Sequence, residues 1–311
     1  MKTRLAAQIA MELAAPVSPE VQAFAARLVA GAKRTPLAIL FYGSGLRTGD
    51  LDGILDFYVI MEQLADWSHG AVAAFANRLL PPNVEYYEAS LGPTLLRAKV
   101  AILTLDQFQS LCRTESLDNS VWARFSQPVA AVYTRDPAAF DRVCAAVADA
   151  VIAAAAWAAR LGPPDATPRD LWRSLFRRTY ATELRVERPG RADSIVDHAP
   201  DRYETLLPPA LGAAGIPFGL SPAGSIEILI DERARRRALA SWTRRRRLAK
   251  PLNLARLAKA AFTFRGGPDY IVWKIARHSG AEGALTEWQH RHPILASGSI
   301  LWRLWRQRAS G

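Results

Sequence analysis

The stretch Leu-Ala-Ile-Leu-Phe-Tyr-Gly-Ser-Gly, residues 37–45, decides the fold of this chain. Its first six residues are apolar and predict a buried strand, which the glycines around Ser44 bring to an end. After a polar loop, residues 54–60 (Ile-Leu-Asp-Phe-Tyr-Val-Ile) predict a second strand, and this strand carries one carboxylate, Asp56. Two such strands joined through a small-residue turn are typical of an α/β protein.

The turn and the acid together favour a site for a nucleoside triphosphate. Gly43 and Gly45 allow the backbone to approach a phosphate, and Ser44 can bond a phosphate oxygen. Asp56 can hold Mg²⁺ against the same phosphates. A Gly-Ser-Gly turn alone is common, and a strand aspartate can also cap or pair. The order of strand, turn, loop and acid-bearing strand nevertheless matches the active-site plan of the nucleotidyltransferase superfamily.

Composition sets the broad class of the protein. The chain has 311 residues, half of them hydrophobic, which is enough for one large domain or, as we expect, two. Mean hydropathy is −0.02, and no uninterrupted apolar stretch is long enough to predict a membrane-spanning helix. The alanine-rich segment 143–161 predicts a core helix. The two cysteines, Cys112 and Cys144, predict neither a disulfide framework nor a metal site and fit a reducing compartment.

Positive charge is concentrated at the C-terminal end. Residues 233–311 hold 18 of the 40 Lys and Arg residues but only 3 of the 29 Asp and Glu residues. The rest of the chain is therefore slightly acidic, although the formal net charge of the whole is +11. A basic region of this kind favours an anionic partner, either a nucleic acid or an anionic membrane surface.

The pattern along the chain predicts three regions. The fold class is α/β (α+β): a mixed sheet with flanking helices over 1–135, a mostly helical second domain over 136–230 and a basic amphipathic helical tail over 231–311. Strands are predicted at 37–42, 54–60, 84–87 and 95–103, helices at 1–33, 71–80, from 106 onward and over most of 138–187, and a Pro/Gly-rich loop at 207–224.

Five short segments occur in an order and spacing that one known family shares. They are Tyr-Gly-Ser-Gly at 42–45, Leu-Asp-Phe-Tyr-Val at 55–59, Tyr-Tyr at 86–87, Lys-Val-Ala-Ile-Leu at 99–103 and Gln-Pro-Val at 127–129, where the family pattern is Gln-Lys-Pro-Val. On these segments the chain resembles the mitochondrial-type phosphatidate cytidylyltransferases, which are peripheral CDP-diacylglycerol synthases built on a nucleotidyltransferase fold. The resemblance is good over residues 37–130, weaker over 131–220 and vague beyond.

The resemblance implies a reaction and its partners. CMP would pass from CTP to phosphatidic acid, giving CDP-diacylglycerol and pyrophosphate, with Mg²⁺ as cofactor. The enzyme would work as a peripheral protein on an anionic membrane, and no nucleic acid partner is expected. Its place would be the cytoplasmic face of the inner membrane in a bacterium, or the matrix side of the inner membrane in a mitochondrion.

The resemblance also implies roles for individual residues. Asp56 would hold Mg²⁺. Lys99 would contact the triphosphate or the transition state, and its setting agrees with this, because an ammonium in an apolar strand needs an anion. The nucleotide phosphates would be bound by Gly43, Ser44 and Gly45, with Arg124 as a further ligand for an anionic substrate.

One departure from the superfamily pattern leaves the second metal ligand open. Many nucleotidyltransferases carry a second acid two residues after the first, and here that position is Tyr58. Either a single aspartate holds the metal together with phosphate oxygens, or another acid contributes. Of the nearby acids we favour Asp52. The alternatives are Asp50 on the same loop and Glu85 and Glu88 on the next predicted strand.

The end of the chain carries an aromatic and basic segment, residues 300–308. On a helix, Leu301, Leu304 and Trp305 would share one face, with Trp302 at its edge and arginines at the sides. This arrangement is typical of a helix that lies in a bilayer interface, and we predict membrane contact by these four residues. The alternative is a terminal helix that packs on the protein core.

Two other classes of function remain open on the sequence. A nucleotidyltransferase acting on RNA or protein would use the arginine runs at 235–237 and 244–247 on an anionic substrate. A non-catalytic module binding membrane or nucleic acid would need only the basic region.

Overall fold

The computed structural model describes residues 2–263 except 68–69, 93, 183–189 and 223. The predicted membrane-contact residues Leu301, Trp302, Leu304 and Trp305 lie outside the described residues. Their role therefore stays a prediction. Over these described residues the protein is a mixed α/β structure that is 58% helical.

The first half of the chain supplies the sheet and its flanking helices. Short polar turns separate most of the elements, and Pro81-Pro82, joined by a cis peptide bond, precedes the third strand. The elements are α1 (Lys2–Leu13), α2 (Pro19–Gly31), β1 (Ala38–Tyr42), α3 (Ser44–Thr48), β2 (Ile54–Met61), a 3-10 helix (Leu64–Asp66), α4 (Ala71–Leu79), β3 (Asn83–Leu91), β4 (Thr94–Thr104), α5 (Leu105–Cys112), α6 (Ser120–Phe125) and β5 (Val129–Thr134).

The five strands form one mixed sheet in the order β3-β4-β2-β1-β5. Strands β2 and β4 are parallel, and the other neighbours are antiparallel. The predicted mixed sheet with flanking helices is confirmed at this level. The nucleotidyltransferase fold itself remains part of the proposal below.

The two faces of the sheet are covered by different helices. Helix α2 covers one face, where Phe24 stacks on Phe57 with ring centroids 5.4 Å apart. On the other face, Phe125 of α6 packs edge-on against Tyr58 at 4.9 Å and against Phe108 at 4.7 Å. Because side chains alternate between faces along a strand, Asp56 and Tyr58 lie together on this second face.

The second half of the chain is mostly helical, as predicted. It begins with α7 (Pro137–Leu161), which Asp136 caps by accepting a hydrogen bond from the amide of Ala139. The remaining elements are β6 (Asp165–Ala166), α8 (Pro168–Tyr180), α9 (Arg191–Asp197), α10 (Pro200–Ala213), β7 (Phe218–Leu220), β8 (Ile226–Ile228) and α11 (Glu232–Thr263).

The prediction of a loop over 207–224 is wrong in its first part, and also at Phe218–Leu220, which form β7. Helix α10 continues to Ala213 and contains Pro208 and Pro209. Proline in a helix interior removes a backbone hydrogen bond and disfavours the turn before it. Here the helix buries one apolar face completely, including Leu207 and Leu211, and this burial outweighs the local preference.

Helix α7 is the central helix of the core. By length and composition it is the one helix among the described residues that could cross a membrane, and 78% of its most apolar window is buried inside the protein. It packs against α1, α6, α8 and α10. The expectation of a core helix over 143–161 agrees with this burial.

Helix α1 joins the first half of the chain to the second. Gln8 donates to Thr205 at 2.9 Å, and Arg202 donates to Glu12 at 2.8 Å. One continuous apolar cluster runs from the sheet through α7 to α8 and α10. The predicted domain boundaries after 135 and 230 stay predictions.

Candidate active site

Four polar side chains lie in a row across one face of the sheet. The strand register places Asp56 directly opposite Tyr42 on one side and directly opposite Lys99 on the other. Lys99 is in turn opposite Tyr86. Neighbouring strands lie about 4.8 Å apart, so Asp56 and Lys99, which the sequence singled out, are neighbours on one face.

Gly43 presses the turn against this row. It is buried, with φ 93° and ψ −157°, a backbone conformation that only glycine adopts readily. A methyl group at Gly43 would lie 3.0 Å from Oδ2 of Asp56. The backbone at the start of α3 therefore passes directly beside the carboxylate, and exposed Ser44 follows.

The second glycine of the turn has a packing role in the structure. A Cβ atom on Gly45 would come within 2.9 Å of Leu55 Cδ2 and 3.2 Å of Phe41 Cζ. The absence of a side chain lets α3 lie close against both strands. Close packing therefore explains why residue 45 is a glycine. Its predicted role in phosphate binding stays a prediction.

Gly43→Ala should disturb the site by straining the backbone of the turn beside Asp56. We expect a loss of about 1–3 kcal/mol in the free energy of unfolding, because alanine strains this φ/ψ region, and, if the turn binds the predicted nucleotide, weaker nucleotide binding. Urea unfolding and calorimetric titration with CTP measure the two effects. Gly53→Ala is the matched control, since Gly53 has an ordinary φ and a methyl group there would meet no atom within 4 Å. Equal behaviour of the two variants would contradict the assignment.

Tyr58 occupies the position at which the superfamily pattern would place a second metal-binding acid. Its hydroxyl is buried, which raises the pKa of Tyr58. The positive charges of Arg124 and Arg256 lower that pKa, whereas the negative charges of Asp118 and Asp56 raise it. Tyr58 thus marks a place where two arginines and two aspartates come together beside the row.

Arg124 reaches this place from α6. Its side chain is half-buried, and it donates to the carbonyl oxygen of Ser120 at 2.7 Å, which holds the guanidinium near its own helix. Arg124 and Asp56 are both close enough to Tyr58 for their charges to act on its pKa, so the predicted Arg124 lies on the same side of the sheet as Asp56.

Sequence reasoning missed two of the charged groups near Tyr58, Asp118 and Arg256. Asp118 lies just before α6, and Arg256 comes from α11, 138 residues later in the chain. The two form an ion pair whose side chains are 10% and 17% exposed. Arg256 also donates twice to the carbonyl oxygen of Pro81, at 3.0 and 2.8 Å. The basic helix is thereby attached to the edge of the candidate site.

The protonation state of Asp118 depends on its partner. Burial raises the pKa of Asp118, but the charge and hydrogen bond of Arg256, together with hydrogen bonds from Ser120, outweigh burial and leave it below the ordinary 3.8. A carboxyl with a lowered pKa stabilises the fold at pH values above its unfolded pKa. That stabilisation is lost as the pH falls through the folded value.

Arg256→Met should therefore be destabilising in a pH-dependent way. Near neutral pH we expect a loss of about 3 kcal/mol, because the variant leaves the Asp118 carboxylate buried without its partner. The difference from the parent protein should shrink as the pH falls through the lowered folded pKa of Asp118, because the carboxyl of the parent then becomes protonated as well. Unfolding free energies at several pH values measure this. Adding Asp118→Asn should restore part of the loss, and a pH-independent difference would contradict the role of the pair.

The other acids considered as metal ligands differ in their settings. Asp52 is exposed on the loop before β2, and its amide donates to Asp50 Oδ1 at 2.9 Å. Glu85 is fully buried on the opposite face of the sheet, where it accepts from Trp67 Nε1 at 3.0 Å and from Tyr87 Oη at 2.5 Å. Glu85 is thus excluded as a partner of Asp56, whereas Asp52 stays a candidate.

Glu88 lies on the same face as Lys99 but nearer the edge of the sheet. It accepts a hydrogen bond from Tyr86 at 2.6 Å and one from Arg97 at 3.2 Å. The negative charge of Glu88 is therefore already paired with Arg97 and hydrogen-bonded to Tyr86.

The residues present fit a magnesium ion that is held mainly by its substrate. In the part of the chain that the structure describes, no three His, Cys, Asp or Glu side chains group as a metal cage. Mg²⁺ commonly takes one or two carboxylates, keeps several waters and completes its shell with phosphate oxygens. Asp56, half-buried beside an accessible turn, is suited to that kind of site.

The whole arrangement joins a glycine turn, a carboxylate, an ammonium and a guanidinium on one sheet face. Comparison with known proteins adds no further identification, since no family model matches the chain and no curated protein matches it.

Proposed function

We propose that the protein is a phosphatidate cytidylyltransferase that transfers CMP from CTP to phosphatidic acid, giving CDP-diacylglycerol and pyrophosphate. The observation that carries the proposal is the contact of the Gly43 turn with Asp56, in register with Lys99. A backbone that approaches a carboxylate this closely, with an ammonium on the next strand, is suited to a metal–triphosphate group. The five sequence segments that resemble this enzyme family support the same interpretation.

The chemistry asks little of the protein in the way of proton transfer. A phosphate monoester is largely ionised near pH 7, so its oxygen can attack the α-phosphorus of CTP without a strong base. The new P–O bond forms as the bond to pyrophosphate breaks, and the leaving group carries away the electron pair. The protein must bring two anions together and neutralise the charge that develops.

Each residue of the site has a part in this task. The backbone around Gly43 and the hydroxyl of Ser44 would hold the triphosphate. Lys99 would stabilise negative charge on the phosphates as pyrophosphate departs, and Arg124 would orient an anionic substrate. Asp56, with Asp52 as the candidate second ligand, would hold Mg²⁺, which when bound supplies charge neutralisation and in-line orientation.

The acceptor would come from a membrane. Phosphatidic acid has a charged headgroup on an insoluble tail, so the enzyme must meet this substrate at the bilayer surface. We propose a peripheral location on an anionic membrane, on the cytoplasmic side of the inner membrane in a bacterium or on the matrix side in a mitochondrion.

The test is turnover of labelled CTP by the purified full chain with Mg²⁺ and phosphatidate vesicles. Formation of CDP-diacylglycerol and pyrophosphate in equal amounts, and loss of both in an Asp56 variant, would support the proposal. Pyrophosphate without the liponucleotide would reject phosphatidate as the acceptor. If neither product forms under these conditions, the enzymatic proposal is rejected.

A nucleotidyltransferase acting on RNA is the second candidate, favoured by the exposed arginines of α11. Of the eleven Lys and Arg residues in this helix, Arg246 and Arg247 are among those exposed. Phosphate-backbone binding would weaken steeply with salt. Preference for RNA over phosphatidate vesicles at physiological salt would favour this candidate.

A further inference from the structure

Helix α4 presents an apolar face that no described residue covers. Val72, Phe75 and Leu79 are 80%, 61% and 69% exposed. Their spacing of three and four residues places them on one side of the helix. We call these three residues the α4 patch. Single exposed apolar residues are ordinary, but a contiguous row of three that includes a phenylalanine indicates an interaction surface.

A groove continues the α4 patch. It has a volume of about 560 Å³ and runs between α4 and the start of α5. Ala71, Ala74 and Phe75 line it from α4, and Arg78 adds a guanidinium. The α4 side of the groove is thus apolar with a cation at its border, and the one acid in the lining, Glu62, is paired with Arg135 and Arg142.

The basic helix α11 is fixed beside this surface. Lys259 donates to the carbonyl oxygens of Leu80 and Pro82, at 2.5 and 2.6 Å, just beyond the end of α4. Arg256 donates to Pro81 between them. These bonds hold the last turns of α11 against the C-terminal end of α4.

Positive charge accompanies the apolar residues. Helix α11 carries eleven Lys and Arg residues and one acid, Glu232. Arg246, Arg247 and Lys250 are exposed on the turns that precede the anchored end, and Arg78 is exposed on α4 itself. An apolar row with Arg78 on its own helix, and a strongly basic helix anchored at its end, has the composition of a surface that enters the headgroup layer of an anionic bilayer.

We propose that the α4 patch is a contact surface for an anionic lipid bilayer, with the exposed cations of α11 and Arg78 at its border. This deepens the proposed function, on which it rests for the lipid nature of the acceptor. The patch is near the sheet that carries the site: Thr104, which lines the groove, follows Lys99 by five residues of β4, about 16 Å along the strand.

Charge complementarity selects the bilayer over other occupants. A second copy of the chain would bring two cationic surfaces together. Residues 264–311 of the same chain hold seven Lys and Arg residues against three acids, so they too carry the same sign of charge as the border. An anionic bilayer is the partner that supplies both an apolar interior and negative charge.

The experiment is vesicle co-flotation of the full chain carrying Val72→Ser, Phe75→Ser and Leu79→Ser. With vesicles of phosphatidylglycerol and phosphatidylcholine, we expect affinity to fall at least about tenfold. The matched control carries Met11→Ser, Leu220→Ser and Leu229→Ser. These residues are 70%, 70% and 53% exposed and lie elsewhere on the surface. The control should bind as the parent does.

A second measurement does not depend on the triple variant. Phe75→Cys can be labelled with an environment-sensitive fluorophore, because Cys112 and Cys144 are buried. Its emission should shift to shorter wavelength with anionic vesicles and stay unchanged with phosphatidylcholine alone.

Several outcomes would overturn the proposal. Undiminished flotation of the triple variant would do so, as would an unchanged emission of the label. A change from dimer to monomer in the triple variant would identify a second copy as the occupant, and a label shift produced only by deleting residues 264–311 would identify that segment. Because flotation needs no CTP, failure of the proposed reaction would be seen separately in the turnover assay.

Discussion

Asp56→Asn is expected to lower CTP turnover by roughly 10³-fold while the protein stays folded. The substitution keeps the size of the side chain but removes the negative charge that would hold Mg²⁺ beside the Gly43 turn. The residue lies in the middle of the row, opposite Tyr42 and Lys99. Loss of its charge would therefore weaken the proposed Mg²⁺ site and also leave a half-buried ammonium beside a neutral amide.

The measurement is the rate of pyrophosphate release with phosphatidate vesicles at several Mg²⁺ concentrations. Asp66→Asn is the matched control, because Asp66 pairs with Arg34 at 3.4 Å on the 3-10 helix after β2. Asp52→Asn tests the second ligand, and a higher Mg²⁺ requirement is its expected result. Full activity of the Asp56 variant would place the reaction elsewhere in the molecule.

The centre of the candidate site was accessible from the sequence because its residues are local to recognisable strands. The apolar run before Gly43 and the strand around Asp56 predict their own positions. Lys99 stands out because it interrupts an apolar strand. The local pattern does not predict which strands pair, however. β2 and β4 are parallel neighbours, and only their register shows that Lys99 is opposite Asp56.

The outer part of the site depends on contacts between distant segments. Asp118 lies in a polar connection and Arg256 in a helix full of arginines, so neither has a local pattern that marks it. Their ion pair forms only when α11 returns to the sheet. Glu85 failed as a candidate for a related reason. The register of β3 turns its side chain to the opposite face, towards Trp67.

The helical second half of the chain also contains a feature that local sequence preference does not predict. Pro208 and Pro209 predict a loop by local preference, yet α10 is helical through both. The helix is stabilised by burial of its apolar face, which includes Leu207 and Leu211. That burial occurs only when α1, α7 and α8 cover the face. Local sequence rules cannot weigh that burial.

Lys99→Met is the second substitution with a large expected effect, a loss of about 10²- to 10³-fold in turnover. Methionine keeps the length and apolar stem of the side chain and removes its charge. If Lys99 stabilises the departing pyrophosphate, kcat should fall more than the affinity for CTP, because the interaction is strongest as charge develops. Steady-state kinetics and CTP titration by calorimetry separate the two quantities.

The neighbouring Arg97 provides the control for Lys99. It lies two residues earlier on the same face of β4, and its charge is paired with Glu88 at 3.2 Å. Arg97→Met should therefore leave kcat close to that of the parent, whereas Lys99→Arg should recover part of the loss by restoring a cation. Equal losses of kcat in Arg97→Met and Lys99→Met would indicate that Lys99 acts only as one of several positive charges near the site. A difference of at least about tenfold between them would assign the reacting phosphates to the row that Asp56 and Lys99 form.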